Sequence, residues 1–203
     1  MYSTIVHLPP AHSEDSITFS IAKHLLPMNI ALVEPKNRNN LATILRTGQN
    51  FDVKAIFVIG GFVRDQYKGN IHKFSHQMDT QDGLSAVTLL YFETIDSFLS
   101  HLPAQTTLVL VEALPEAENL KEFQHPFNAT YVFGREAKGL MKSDIDNIRD
   151  FISRLHENIP LKFREKDPKT AHLRFVKIDT PESLNLGVAA SIVMYDRDSK
   201  LLT

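Results

Sequence analysis

The 203-residue chain has no cysteine. That excludes disulfides and thiolate metal sites, and it suits a reducing, cytoplasmic setting. No apolar run approaches the roughly 20 residues of a membrane span. A secretory leader is not expected, because Ile5, Val6 and Leu8 are followed at once by Pro9, Pro10, His12, Glu14 and Asp15. Low-complexity tracts and fixed-period repeats are missing, which sets aside arrays and solenoids. An excess of positive charge is missing too. With 22 Lys and Arg against 24 Asp and Glu, the formal net charge is −2, so a polyanionic partner would have to be met by local patches. Two candidates are Lys36, Arg38 and Arg46, and Lys162, Arg164, Lys166, Lys169 and Arg174; each cation alone is better explained as solvated surface. The nine histidines offer no defensible ligand spacing. His72 and His76 are four apart, but Lys73 and Phe74 between them favour a loop or surface strand, and no metal is expected.

What is present is the ordinary globular balance, with 43% hydrophobic and 23% charged residues. The length suffices for one α/β domain and a small appendage. Residues 1–27 read as an N-terminal extension. Within it, Ile17, Ile21, Ala22, Leu25 and Leu26 share a helical face over 16–26, Ser13 and Asp15 are plausible caps, and Pro27 ends the segment. Residues 28–203 then alternate. Strands are expected at 29–34, 53–59, 85–92, 106–111 and 130–133, near 150–155, and at 172–178. Helices are expected at 39–50, 94–101, 143–150 and 182–196. Gly60-Gly61 breaks the second strand. The polar stretch 156–171, with Pro160 and Pro168, reads as an exposed loop. Repeated βα units with continuous apolar strands predict a mostly parallel sheet covered by helices on both faces.

Three segments carry candidate chemistry. The first, residues 37–51 (NRNNLATILRTGQNF), puts Asn39 and Asn40 where a helix N-cap belongs, and sets Arg46 beside the apolar stripe of Leu41, Ile44 and Leu45. Asn40 and Arg46 are about 600° apart on a helix, so they need not share a face. The second, residues 132–140 (VFGREAKGL), follows a strand at its carboxyl end, where open α/β sheets bind ligands. Gly134 permits a close backbone approach, and Glu136 can accept hydrogen bonds. The third, residues 180–191 (TPESLNLGVAAS), reads as a helix start, with Thr180 as cap, Pro181 at the first helical position, and Ser183 and Asn185 in the first turn. Small residues Gly187, Ala189, Ala190 and Ser191 admit close packing. Taken singly, these are a cap, a glycine turn and a crowded helix.

In order and spacing the three resemble the signature motifs of the SpoU/TrmH-like RNA ribose 2′-O-methyltransferases of the SPOUT superfamily. Asn40 and Arg46 match the first, Phe133 to Leu140 match FGxExxGL, and Ser183, Leu184 and Asn185 match SLN. The resemblance covers about residues 28–198. It implies a parallel α/β fold with a deep C-terminal trefoil knot, a rare exception to the rule against threaded chains. It implies S-adenosylmethionine as cofactor, structured RNA (tRNA or rRNA) as partner, and a homodimer with the first-motif arginine contributed across the interface. Catalytic residues carried over are Arg46, Asn40, Glu136, Ser183 and Asn185. Cofactor contacts carried over are Val111, Phe133, Gly134, Glu136, Gly139, Phe175, Ile178, Ser183, Leu184 and Asn185. Three departures stand out. Phe51-Asp52 replaces the family's Phe-Gly. The Ile-Pro strand end is missing, so the contact in that strand falls on either Phe175 or Ile178. The stretch 156–171 looks like an insertion.

The implied activity is transfer of a methyl group to a ribose 2′-hydroxyl. A guanidinium stays protonated, so Arg46 is expected to orient a phosphate and stabilise developing alkoxide charge rather than act as a base. Two other readings compete. One is a non-catalytic knotted RNA-binding or assembly module that retains the pocket, against which stands the presence of Arg46. The other is a dinucleotide-binding enzyme, against which stands a first turn, EPKNRN at 34–39, with no glycine.

Overall fold

A computed structural model of the protein describes residues 27–67, 87–102, 106–157 and 172–201. The extension helix expected at 16–26 and loop residues 158–171 lie outside these. Seven parallel strands form one sheet in the order β3-β2-β1-β6-β4-β7-β5. They are β1 Met28–Val33, β2 Val53–Ile59, β3 Thr88–Phe92, β4 Thr107–Val111, β5 Glu118–Asn119, β6 Ala129–Phe133 and β7 Leu173–Lys177. The described helices are α1 Arg38–Asn50, α2 Phe62–Tyr67, α3 Ile95–Ser100, α4 Lys142–Glu157 and α5 Leu186–Leu201. No described helix is long and apolar enough to cross a membrane.

Strand alternation sorts the apolar side chains into two cores. Ile30, Leu32, Ile56, Val58, Val109, Tyr131 and Val176 face α1 and α5. Ala31, Val33, Phe57, Ile59, Leu108, Leu110 and Val132 face α3 and α4. Every residue of β1 and β6 is buried. Covering both faces in this way is why these strands read as nearly continuous apolar runs, interrupted by Asn29 and Thr130, which hydrogen-bond each other across the pair. α1 and α5 lie side by side, where Ser191 Oγ donates to Thr47 Oγ1 at 3.2 Å and Gly187 sits against Thr43.

Three sequence expectations need correction. The strand expected near 150–155 does not exist, because α4 continues to Glu157. Ile145, Ile148 and Ile152 recur at three and four residues and are buried, so a helical period overrides the β propensity of Phe151 and Ile152. The cap of α1 is Asn37, whose Oδ1 accepts from Asn39 N at 2.8 Å, rather than Asn39 or Asn40. The last helix begins four residues later than its Thr-Pro-Glu signal suggests. Asn185 Oδ1 accepts from Gly187 N at 2.9 Å and Val188 N at 3.2 Å, so Asn185 caps α5, and Thr180 to Leu184 stay as loop. The Asp52 that replaces a family glycine has φ of +55°, a left-handed conformation that glycine adopts at less cost. Its carboxylate is held by Lys54 Nζ at 2.6 Å.

A buried polar relay fixes the end of α5 to the sheet. His125 Nδ1 lies 2.7 Å from Tyr131 Oη, and its Nε2 lies 2.8 Å from Asp196 Oδ2. Burial pushes the Tyr131 phenol upward, so it keeps its proton and donates to His125. Burial also lowers the His125 pKa from 6.5, outweighing the upward pull of Asp196. Since the unfolded imidazole takes up a proton first, this contribution to stability is complete above about pH 6.5 and is lost as pH falls below it. Urea titrations from pH 7.5 to 5 are expected to show His125→Gln less stable than the wild type, with the gap narrowing toward acid. A gap that stays constant with pH would contradict the assignment.

Candidate functional site

The chain leaves β1 toward β2 and β3 on one side, then crosses back to β4 on the other, and β6 fills the place between β1 and β4. At such a reversal the loops beyond the strand ends diverge and leave a crevice. The loops after β4, β6 and β7 line a cleft of about 420 Å³. Its apolar lining includes Val111, Phe133, Ile178, Leu184, Leu186 and Ala189, and the carboxylate-bearing Glu112, Glu136 and Glu182 also line it.

The loop after β6 is shaped by two glycines and a carboxylate. A Cβ on Gly134 would run into the backbone of Gly139 and Leu140, so the two limbs of the loop touch there. Arg135 and Gly139 exchange backbone hydrogen bonds of 3.0 and 2.9 Å, closing the turn between them. Gly139 has φ of +61°, and a Cβ there would overlap the Glu112 carboxylate. Glu112 Oε2 accepts from Leu140 N at 2.6 Å. At the foot of the loop, Arg135 Nη1 pairs with Asp144 Oδ2 at 2.5 Å, and the same oxygen accepts from Met141 N at 2.8 Å, capping α4.

Glu136 joins this loop to the start of α1. Its carboxylate accepts from Lys36 N at 3.1 and 3.0 Å, from Asn37 N at 2.9 Å and from Asn40 Nδ2 at 3.3 Å. Burial raises its pKa, but the N–H groups of Asn37, Glu136 itself and Lys36, with the Asn40 amide, outweigh burial and hold it below the ordinary 4.5. Asn40, buried at 5% exposure, completes the junction: its Oδ1 accepts from Asn185 Nδ2 at 2.9 Å. One continuous set of hydrogen bonds thus runs from Glu136 through Asn40 to Asn185, joining the start of α1 to two segments that lie 96 and 145 residues further along the chain.

Of the expected cofactor contacts, Val111, Phe133, Gly134, Glu136, Gly139, Ile178, Ser183 and Leu184 line the cleft. Phe175 does not: it packs in the core on the α3 and α4 side, with the Arg149 guanidinium 5.1 Å from its ring centroid. Strand alternation decides between the two candidates, and Ile178, beyond the end of β7, is the one at the cleft. Asn40 and Asn185 meet each other instead of lining the cleft. Arg46 is exposed on α1, does not line the cleft, and makes no side-chain hydrogen bond to another described residue. Sequence reasoning missed Glu112, Asn37 and the Arg135–Asp144 pair. Asn37 carried a legible signal, since an Asn directly before the first helical residue is a standard cap. Glu112 carried none, because its partner amide is 28 residues away.

Comparison with known proteins agrees with this architecture. No curated protein matches the chain significantly. Among solved structures, one from work on the 2-OH methylation of C/U34 on tRNA is 21% identical, with a TM-score of 0.56 over 84% of this chain and 93% of that one. The TrmH/SpoU tRNA modifying enzyme of A. aeolicus is 17% identical, with a TM-score of 0.59 over 91% of this chain and 83% of its own. The SpoU methyltransferase AviRb from Streptomyces viridochromogenes, solved with AdoMet, is 12% identical, with a TM-score of 0.55 over 85% of this chain and 59% of that one. Identities this low show the shared fold. The sequence profile of the SpoU rRNA Methylase family goes further, because it matches residues 27–157, more than half of the chain and the whole run from β1 through α4, and the chain therefore belongs to that family.

Proposed function

We propose that the protein transfers a methyl group from S-adenosylmethionine to a ribose 2′-hydroxyl of structured RNA, either tRNA or rRNA. The observation that carries this reading is the hydrogen-bonded junction of Glu136, Asn40 and Asn185, which gathers all three motif segments beside one cleft. The cleft suits the cofactor. Its volume lies within the range of small-molecule sites. Its apolar lining fits an adenine ring, and the carboxylates of Glu136 and Glu182 oppose the positive charge of a sulfonium and an ammonium. The AdoMet-bound relative of the same fold supports this choice.

When bound, the cofactor supplies an electrophilic methyl carbon. The protein's part is placement. Gly134 lets the two limbs of the 134–140 loop touch and Gly139 leaves room for the Glu112 carboxylate, which together shape one wall of the cleft, and Ser183 and Leu184 also line it. Both Glu136 oxygens are engaged by donors and its carboxyl is held ionised, so it orders the first motif rather than moving a proton. Arg46 orients a phosphate next to the reacting ribose and stabilises charge growing on the 2′-oxygen.

The reading includes a catalytic domain over residues 28–203 following the extension, a trefoil knot near the C-terminus, and a homodimer. The exposed face of α5 supports the dimer. Val188 and Tyr195 are 47% and 65% exposed, and the Phe51 ring meets Tyr195 edge-on at 6.3 Å. Apolar groups spaced this way on one helix suit a second copy of the chain. Such a partner would bring an Arg46 to a cleft that its own chain's Arg46 does not line.

The test is methylation of unmodified tRNA and rRNA with labelled S-adenosylmethionine, followed by nuclease digestion and nucleoside analysis. A 2′-O-methyl nucleoside is expected. Label found on a base would overturn the reading. Cofactor binding without transfer to either RNA class would favour the non-catalytic module.

A further inference from the structure

Glu112 lines the cleft, yet its side chain is committed to backbone. It is the first residue after β4, where its own N–H donates to Val176 O at 3.0 Å. Its Oε1 accepts from Ala113 N at 3.1 Å, and its Oε2 accepts from Leu140 N at 2.6 Å. The carboxylate therefore ties the end of β4 to the far limb of the 134–140 loop, and it fills the space that a side chain at Gly139 would need. The near limb is held separately, by Arg135 to Asp144 and by Glu136 to the start of α1. The far limb carries the exposed Ala137 and Lys138, and its backbone ties are the Arg135–Gly139 pair and this one charge-assisted bond.

We propose that Glu112 is a positioning residue: it holds the 134–140 loop in the shape that accepts the cofactor, and so sets cofactor affinity without touching the reacting atoms. This rests on the cofactor reading of the cleft. A loop that is ordered beforehand spares the ligand the cost of ordering it. Removing the carboxylate transfers that cost to binding, so affinity falls while turnover at saturating cofactor stays. The effect comes from the loop and not from charge on the ligand, so S-adenosylmethionine and S-adenosylhomocysteine lose affinity in parallel.

Three variants separate reach from charge. Glu112→Ala is expected to weaken S-adenosylmethionine binding about tenfold or more, the scale of one lost charge-assisted hydrogen bond, with kcat nearly unchanged. Glu112→Asp keeps the charge but is one methylene too short to reach Leu140 N, and is expected to match Ala; it also stands in should the alanine variant fail to fold. Glu112→Gln keeps an oxygen acceptor for Leu140 N and is expected to recover most of the affinity. The measurements are calorimetric titration with each ligand and amide hydrogen exchange of the ligand-free proteins. Faster exchange at Leu140, with Ile148 and Ile152 in α4 unchanged, is expected for Ala and Asp. Unchanged Leu140 exchange, or cofactor binding that stays equal or tightens, overturns the proposal. If the wild type binds neither ligand, the cofactor reading fails, and the exchange data alone decide whether Glu112 holds the loop.

Discussion

Arg46→Ala is expected to lower methyl transfer by about a hundredfold to a thousandfold while leaving cofactor affinity unchanged. The size follows from the assigned role. A cation that stabilises charge appearing only in the transition state affects the rate and not the binding of a ligand it does not touch. The separation follows from position, because Arg46 is exposed on α1 and the cleft is lined by other residues. Where Arg46 acts is then a separate question with its own measurement. Arg46→Ala and a variant crippled in the cleft, Glu136→Ala, are each expected to be nearly inactive. If Arg46 serves the partner subunit, mixing and re-equilibrating the two creates dimers with one complete site, and activity should return toward about a quarter of the wild type. Near wild-type activity of Arg46→Ala would remove it from the mechanism. Lasting inactivity of the mixture would place Arg46 in its own chain's site.

Gly134→Ala is expected to cost stability and cofactor binding together. The added methyl would meet the carbonyl carbon of Gly139 and the amide of Leu140, which are backbone atoms and cannot rotate away as a side chain can. The two limbs of the loop would have to separate, breaking the Arg135–Gly139 pair and displacing Leu140 from Glu112. Overpacking of this kind costs about 2–3 kcal/mol, which for a domain of this length is a fall in Tm of about 5–10 °C. Cofactor affinity should drop more than tenfold, because the same loop forms a wall of the cleft. A variant with wild-type Tm and wild-type affinity would show that the loop can open without consequence, and would remove the main argument for a preformed pocket.

Much of the architecture was legible in the residues because it depends on local periodicity. β1, β2, β4 and β6 are nearly continuous apolar runs, and a strand covered on both faces leaves that signature wherever it stands in the sheet. The α1 stripe of Leu41, Ile44 and Leu45 faces the core as expected. Periodicity failed where two signals compete in a short window. Phe151 and Ile152 have the composition of a strand, but their spacing from Ile145 and Ile148 belongs to a helix. Thr180 and Pro181 have the composition of a helix start, but the side chain that bonds the first free amides belongs to Asn185. The two-residue β5 and the short α2 are too brief to leave a periodic signal.

Motif order alone pointed to the segments that matter, because chemistry restricts which residue types stand at a strand end or helix start. It placed Gly134, Glu136, Ser183 and Leu184 at the cleft, but not the contacts among them. The bond from Asn185 to Asn40 spans 145 residues, and that from Glu112 to Leu140 spans 28. Such pairings are set by strand order in the sheet, and no local pattern encodes them. For the same reason the sequence left Phe175 and Ile178 open, since a single residue of register decides which face of a sheet a side chain takes. The sequence by itself determined the types of the longer elements apart from the end of α4, the family and the segments that line the cleft. Only the tertiary structure decided that Glu136 bonds the start of the first motif, that Asn185 caps α5 while holding Asn40, and that Glu112 accepts from Leu140 in the cleft loop, because each includes a contact between residues distant in the chain that meet only when the strand ends are brought side by side.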